Sequence, residues 1–322
     1  MTAVLGVSAI ATALPEEVID NLSQAAELGF QEGFLRDKIG FLSLHRATGD
    51  TRCRDMARGA LQNLLARTGM AATDIDCLFV CTQNPDGHGL PNTASALHGE
   101  MGLAQDCAAL DISLGCSGYV YGLSIIQSFM QANGMRRGVL ITADPYSRIV
   151  DPTDRDTAAL FGDGATATLL TPGGPWRLGR SLFGSDGTRR DAIAVGDDGR
   201  LSMNGRGVFV FAAQTIPPLV ERTLAANDLA MDEIDLVLVH QGSRYIVDEL
   251  RKRLRLDEAR LPFLAGPIGN TVSSSLPFML ADRLDGPERR ILLAGFGVGL
   301  SWGASILSRQ DEQTRITEMK ND

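Results

Sequence analysis

The sequence repeats one pattern of polar and apolar residues in its two halves. Residues 73–82 (TDIDCLFVCT) match residues 232–241 (DEIDLVLVHQ) at a constant offset, and residues 135–141 (MRRGVLI) are matched later by residues 288–294 (ERRILLA). Two matched segments in the same order indicate an internal duplication. The alternative is a chance similarity between amphipathic segments, because such patterns are degenerate.

Helical and strand patterns alternate in each half. Apolar residues recur at helical spacing over residues 50–69 before a strand at 75–81, and a helix at 215–227 precedes the second copy of that strand. This alternation predicts an α/β fold with strands buried between helices. A cluster of structure breakers near the middle, TPGGP at 171–175, marks the expected junction, so residues 1–171 and 172–322 are the two predicted domains.

The composition argues against several classes of protein. The sequence has no apolar run long enough to span a bilayer and no basic-then-apolar start typical of a signal peptide. A net charge of −9 argues against general nucleic-acid binding. Five cysteines without a CxxC pair and four scattered histidines indicate neither a disulfide framework nor a metal site. We therefore expect a cytoplasmic protein that binds no membrane, nucleic acid or metal ion.

One cysteine stands at a turn between a strand and a buried helix. The pattern predicts a strand at 108–112 and a helix at 119–132 that is apolar on nearly every face. Cys116 lies where unpaired backbone N–H groups and the positive end of the helix dipole favour a thiolate. The neighbouring glycines and Ser117 leave room for a substrate, although a free cysteine is usually a small buried apolar residue.

Two further strand ends carry polar residues. His240 ends an apolar strand, and Asn270 lies in a loop of small residues at 266–275 that leads into an apolar helix. Each residue alone has a structural alternative: His240 could be a buried histidine whose hydrogen bonds are satisfied within the fold, and Asn270 could be the cap of the following helix. Because ligands of open α/β sheets bind at strand ends, these residues and Cys116 suggest one pocket. There a thiolate would take up an acyl group, and the histidine and amide would donate hydrogen bonds to an enolate or oxyanion.

Five segments resemble, in order, the motifs of β-ketoacyl-acyl-carrier-protein synthase III. They are the cysteine elbow at 111–122 (DISLGCSGYVYG), LFGDGA at 160–165, His240-Gln241, GNT at 269–271 and GFGVGLSWG at 295–303. Together they span nearly the whole chain. The resemblance implies a thiolase-like fold of the α/β class, whose duplicated halves form a five-layered αβαβα sandwich, and it implies a homodimer.

The resemblance also implies a role for each residue at the strand ends. Cys116 would be the acylated nucleophile, and His240 and Asn270 would promote decarboxylation and stabilise the enolate. The backbone N–H groups of Cys116 and Val298 would form the oxyanion hole, with Val298 where the family frequently has glycine. An acyl-CoA would load Cys116, and the carbanion from decarboxylated malonyl-acyl carrier protein would attack to give a β-ketoacyl product.

Contacts with coenzyme A and with a second subunit are implied in the same way. Adenine would stack between Phe34 and Arg155, while Lys38 keeps the charge of a family arginine but loses the planar fork that pairs with phosphate. Leu90, in the loop before the elbow, would reach across the dimer and help to set the acyl length. Coenzyme A enters only as the substrate thioester, and no permanently bound cofactor is expected.

A basic helical segment at 248–256 carries Arg251, Lys252 and Arg253. In the family a basic surface at this place receives the acidic carrier protein, so malonyl-acyl carrier protein is the expected partner. The alternative is an ordinary solvated face, because charge runs on helices usually are.

Two other functions stay open at this point. The chain could pass the acyl group from Cys116 to an alcohol or amine without decarboxylation, or it could be a non-catalytic scaffold that binds acyl carrier protein. Four departures from the family pattern suggest a specialised relative, in a biotin, quinolone or other secondary pathway, in place of the housekeeping initiator of fatty acid synthesis. They are Lys38, Tyr245, Val298 and the loop at 83–86.

Overall fold

The computed structural model describes residues 4–310, which form fourteen β-strands and seven α-helices. The strands are β1 (Leu5–Ala13), β2 (Glu17–Asp20), β3 (Ser43–Arg46), β4 (Cys77–Cys81), β5 (Ala108–Ile112), β6 (Gly138–Ala143), β7 (Ala165–Pro172), β8 (Trp176–Leu178), β9 (Leu182–Ser185), β10 (Ile193–Val195), β11 (Leu201–Met203), β12 (Leu236–Val239), β13 (Arg290–Gly297) and β14 (Ser301–Arg309). The helices are α1 (Glu32–Phe34), α2 (Cys53–Thr68), α3 (Thr93–Met101), α4 (Gly118–Asn133), α5 (Gly205–Ala226), α6 (Arg244–Leu254) and α7 (Ser275–Ala281).

The two halves of the main sheet have the same pairing order. In the first half β4 runs parallel to β6, which is antiparallel to β7, which is antiparallel to β1. In the second half β12 runs parallel to β13, which is antiparallel to β14, which is antiparallel to β8. The pairing of β1 with β8 joins the halves into one ten-stranded sheet. The predicted α/β fold with duplicated halves is therefore confirmed.

Three apolar cores separate five layers of structure. One core packs α2 and α3 on the first half of the sheet, a second holds α4 and α7 between the two halves, and a third packs α5 and α6 on the second half. Alternation along each strand divides its side chains between two cores. In β4, Leu78 and Phe79 enter different cores, and in β13 Leu292 and Leu293 do the same. The helix-sheet-helix-sheet-helix order agrees with the predicted sandwich.

Most helix ends lie close to the predicted ones, with one large difference. Helices α2 and α4 stop at Gly69 and Gly134, which have φ values of 67° and 65°, in the left-handed region that favours glycine. Helix α5 begins about ten residues before the predicted start at 215, because Asn204 caps it by accepting the N–H of Gly207. That cap precedes a glycine-rich segment, which gives little helical signal.

The junction predicted at 171–175 falls between β7 and β8. Strand β7 continues through Pro172, so the chain passes from one half to the other in a few residues. The boundary between residues 171 and 172 stays a prediction. Among residues 4–310, no helix is both long and apolar enough to cross a membrane.

Candidate active site

A pocket of about 990 Å³ is lined by residues from several separate parts of the chain, among them Cys116, His240 and Asn270. Cys116 follows β5, His240 follows β12, and Asn270 lies in the loop before α7. Val298, from the turn between β13 and β14, lines the same pocket. The structure thus brings together the residues that the sequence assigned to catalysis.

Close packing of backbone around Cys116 explains two glycines of the motifs. A Cβ at Gly297, in β13, would lie 2.7 Å from the Cys116 sulfur, and a Cβ at Gly118, the first residue of α4, would clash with the sulfur of Cys81. Only glycine therefore lets β13 approach Cys116, and the start of α4 approach Cys81, this closely. Cys116 is 6% exposed and is one of the residues that line the pocket.

The electrostatic setting of Cys116 differs from the sequence-based expectation. Burial, with a smaller contribution from the carboxylate of Asp144, raises the pKa of its thiol to about 12. Backbone N–H groups of Val298 and of Cys116 itself are directed at the sulfur and lower the pKa by less. The expectation that the position favours a thiolate is therefore wrong for the free pocket, because desolvation outweighs the helix end.

His240 is a buried and neutral imidazole. It is 3% exposed, and burial lowers its pKa to about 3. Its Nδ1 has no hydrogen-bond partner among the described residues, whereas Nε2 lies towards Gly242, another residue of the pocket lining. Because Nδ1 has no acceptor for a proton, the tautomer with the proton on Nε2 is favoured. His240 can then donate a hydrogen bond into the pocket.

The Asn270 loop is held by the LFGDGA segment. The Asn270 N–H donates to the carbonyl of Leu160 at 2.9 Å, and its carbonyl accepts from Gly162 at 3.1 Å. The side-chain oxygen of Asn270 accepts the N–H of Val272 at 2.9 Å. The group that remains for a ligand is therefore the side-chain NH₂, which is a donor.

A buried aspartate that the sequence analysis missed lies behind Cys116. Asp144 follows β6, and its carboxylate accepts hydrogen bonds from the hydroxyl of Thr82, the N–H of Gln83, and the N–H and hydroxyl of Ser273. It thereby connects the ends of β4 and β6 with the loop that carries Asn270. Burial raises its pKa to about 6, although these hydrogen bonds act in the opposite direction. The sequence does contain a signal for Asp144, because it is a polar residue directly after an apolar strand.

Two aromatic stacks form the mouth of the pocket. Phe34 and Arg155 both lie there, but each contacts Phe30: the two phenylalanine rings stack at 5.4 Å, and the Arg155 guanidinium lies 4.8 Å from the Phe30 ring. In the second stack Lys38 lies 4.5 Å from the ring of Tyr245. That ring in turn stacks on Phe209 at 4.8 Å. Sequence reasoning named Phe34, Lys38 and Arg155 but missed Phe30 and Phe209.

The remaining residues named from the sequence lie outside the pocket lining. Leu90 is 85% exposed, and the basic residues lie on α6. Arg251 donates to the carbonyl of Leu261 and to Asp248, and its side chain is only 16% exposed. Lys252 and Arg253 are exposed, although Arg253 pairs with Glu249 at 2.6 Å.

Comparison with known families matches two parts of this chain. The model of 3-oxoacyl-[acyl-carrier-protein (ACP)] synthase III matches residues 110–187, which include the cysteine elbow. The model of the C-terminal part of the same enzyme matches residues 224–309, which include His240 and Asn270.

Individual proteins match over nearly the full length. The chain is 34% identical over 307 residues to β-ketoacyl-[acyl-carrier-protein] synthase III of Geobacillus kaustophilus, which covers 94% of this chain and 98% of that protein. It is 34% identical over 308 residues to the enzyme of the same name from Acidiphilium cryptum, covering 91% and 96%. The structure of 3-oxoacyl-(acyl carrier protein) synthase III from Pseudomonas aeruginosa superposes with a TM-score of 0.86 at 31% identity, covering 96% and 99%. This chain therefore belongs to the β-ketoacyl-[acyl-carrier-protein] synthase III family of condensing acyltransferases.

Proposed function

We propose that Cys116, His240 and Asn270 carry out a decarboxylative Claisen condensation. An acyl group from acyl-CoA is first held on Cys116 and is then joined to the carbanion of malonyl-acyl carrier protein. The observation that carries the proposal is that all three side chains line one pocket, in which a backbone N–H of Val298 is directed at the cysteine sulfur.

The loading step exchanges one thioester for another. The Cys116 sulfur attacks the thioester carbonyl, the bond from that carbon to the coenzyme A sulfur breaks, and the thiol proton ends on the departing sulfur. Negative charge develops on the carbonyl oxygen in between. The N–H groups of Cys116 and Val298 are the donors closest to the reacting sulfur, and we assign them to that oxyanion.

The condensation step needs donors for an enolate. The bond between the malonyl carboxylate and the α-carbon breaks, carbon dioxide leaves, and the electron pair stays as the thioester enolate. The NH₂ of Asn270 and the Nε2–H of His240 can donate to the enolate oxygen, since the other polar atom of Asn270 is already bonded to Val272. The carbanion then attacks the acyl carbonyl, and Cys116 leaves as a thiolate that takes up a proton.

Carrier protein and coenzyme A enter from the side of the aromatic stacks. Lys38, Arg155 and Arg206 line the mouth and give it a positive charge that suits a phosphate. We propose that the exposed Lys252 and Arg253 of α6 contribute to docking the carrier protein, and that Arg251 contributes less because it is tied to Leu261 and Asp248.

We also propose a homodimer with Leu90 near the pocket of the other subunit. Strand β5 is an edge strand of the main sheet, and four of its five residues are only partly buried. An unpaired edge of this kind is suited to pairing with another chain, and a second copy would cover the exposed side chain of Leu90. Cysteines of the chain are all free thiols, which fits the reducing cytoplasm where we place the enzyme.

A two-stage single turnover tests the proposal. Intact-protein mass spectrometry after mixing with acyl-CoA should show one acyl adduct that is absent from Cys116→Ala. Addition of malonyl-acyl carrier protein should then release carbon dioxide and remove the adduct. Transfer of the acyl group to an alcohol or amine with no carbon dioxide would replace condensation by plain acyl transfer, and absence of any adduct would leave only a binding role.

A further inference from the structure

Ser117, which follows the nucleophile Cys116, does not cap the helix that it begins. It stands at the N-cap position of α4, where a serine side chain usually accepts a backbone N–H of the first turn. Its hydroxyl makes no such hydrogen bond and lies 2.7 Å from the hydroxyl of Ser301, at the start of β14. Both residues are buried, with exposed fractions of 0% and 5%. Ser117 thus bonds to the other half of the molecule in place of its own helix.

The directions of the hydrogen bonds follow from the protons available. The Ser301 hydroxyl also lies 3.0 Å from the carbonyl oxygen of Val298, which can only accept. Because a hydroxyl has one proton, Ser301 donates to Val298, and Ser117 donates to Ser301. These two hydrogen bonds, here called the serine bridge, run from the residue after Cys116 to the turn between β13 and β14.

The serine bridge connects the two donors that we assign to the oxyanion. The N–H of Cys116 belongs to the first half of the molecule and the N–H of Val298 to the second, and both are directed at the Cys116 sulfur. The two segments also pack closely, since a Cβ at Gly295 would lie 2.7 Å from the carbonyl oxygen of Cys116. An oxyanion hole works only when its donors are preorganised around one position. A link between the halves at the donors themselves supplies that preorganisation.

The far side of the turn is held by backbone groups. Leu300 and Asp186 exchange two backbone hydrogen bonds, at 2.8 and 3.2 Å. These bonds tie the turn to the segment that follows β9, in the same half of the molecule. They fix the shape of the turn, whereas the serine bridge fixes its place relative to the cysteine elbow.

We propose that Ser117 and Ser301 are positioning residues that hold the oxyanion hole together across the two halves. The proposal rests on the proposed function, because it concerns the donors that stabilise the oxyanion on the way to acyl-Cys116. Neither hydroxyl needs to touch the substrate. Ser117 acts through the elbow, and Ser301 acts through the turn that presents the N–H of Val298.

Two reactions of Cys116 distinguish this role from simple packing. Acylation by saturating acetyl-CoA passes through an oxyanion, whereas alkylation by iodoacetamide displaces iodide from a saturated carbon and forms none. Both rate constants are measured at pH 8 by mass spectrometry with peptide mapping. In Ser301→Ala acylation should fall about tenfold or more, because complete removal of one oxyanion donor costs about 100- to 1000-fold. Alkylation should stay within about threefold, because it needs no oxyanion hole.

Three further variants complete the test. Ser117→Ala removes the other end of the serine bridge and should slow acylation by a similar factor. Because the two hydroxyls form one hydrogen-bonded unit, the double variant should be no slower than the slower single one. Ser301→Thr keeps the hydroxyl and should restore the original ratio of acylation to alkylation.

Ser305→Ala is the matched control. Ser305 lies in the same strand, β14, is fully buried and bonds to the hydroxyl of Ser181 at 3.0 Å. Neither of these two serines lines the pocket. Loss of this hydroxyl should therefore leave both rate constants unchanged, and thermal unfolding checks that every variant is folded.

Unchanged acylation in a folded Ser117→Ala would overturn the proposal, even if Ser301→Ala could not be purified. So would an equal fall in acylation and alkylation, since it would place the effect on the thiol itself or on access to it. Failure of the proposed function has a different result. The unmodified enzyme would then be alkylated at Cys116 but acylated by no acyl-CoA.

Discussion

Replacement of Asp144 by asparagine should remove a pH dependence from the stability of the enzyme. Burial holds the pKa of this carboxyl at about 6 in the folded chain, against its ordinary value of 3.8. A raised folded pKa means that ionisation opposes folding. The unfolding free energy is therefore highest below pH 3.8, where Asp144 is protonated in both the folded and the unfolded chain. That stability is lost as the pH rises through 6. The difference between the two pKa values corresponds to about 3 kcal/mol of unfolding free energy, and about 1.4 kcal/mol of this is lost between pH 5 and pH 8.

The hydrogen bonds of the site suggest that asparagine can replace Asp144 without collapse. Its oxygen can accept from Thr82 and Gln83, and its NH₂ can donate to the Ser273 hydroxyl once that group rotates. The N–H of Ser273, which lies at 3.3 Å from the carboxylate, loses its acceptor. That loss costs about 1–3 kcal/mol at every pH, so it does not alter the slope.

Urea unfolding at pH 5, 6, 7 and 8 measures the effect. The free energy of unfolding of Asp144→Asn, minus that of the unmodified enzyme, should rise by about 1.4 kcal/mol from pH 5 to pH 8. Exposed carboxyls with lowered pKa values, such as Asp151 and Asp186, are common to both proteins and cancel in the difference. A difference that is constant over this range would show that Asp144 stays ionised throughout, and would refute the reasoning.

The other predictions concern the reaction. Because burial raises the pKa of Cys116 to about 12, the rate of its alkylation by iodoacetamide, followed by peptide mapping, should rise about tenfold per pH unit from pH 7 to pH 9. A rate that is constant over this range would mean that the thiolate is already present at pH 7, and would contradict the prediction. Asn270→Ala should abolish carbon dioxide release while most acyl-Cys116 formation persists, and full decarboxylation would make this amide a structural cap only. Leu90→Phe should lower kcat/KM for long acyl chains and not for acetyl, because overpacking costs about 1–3 kcal/mol for a chain that no longer fits. An unchanged chain-length profile, or a monomer by light scattering, would show that Leu90 does not line the pocket of a second subunit.

Sequence patterns predict the layers of this protein better than its surfaces. Buried strands and their helices recur at regular spacing, so the α/β class and the duplication follow from Ile75, Ile234 and their neighbours. Cys116, His240 and Asn270 are detectable because each polar residue interrupts an apolar segment at a strand end. Phe30 gives no such signal. Its contact with Arg155 joins residues far apart in the chain, and a phenylalanine after a glycine is ordinary in any turn.

The burial of the pocket affects the two half-reactions in opposite directions. Exclusion of water raises the pKa of Cys116, which reduces the thiolate available for loading, and lowers the pKa of His240, which keeps the imidazole neutral. A neutral donor is what the enolate step requires, since donors in a dry site stabilise developing charge more strongly than in water. The N–H groups at the Cys116 sulfur offset part of the first effect without adding a charged group to the pocket. On the proposed mechanism the dry pocket therefore suits condensation better than loading, and a cation placed beside Cys116 would lower the pKa of the thiol and so favour loading.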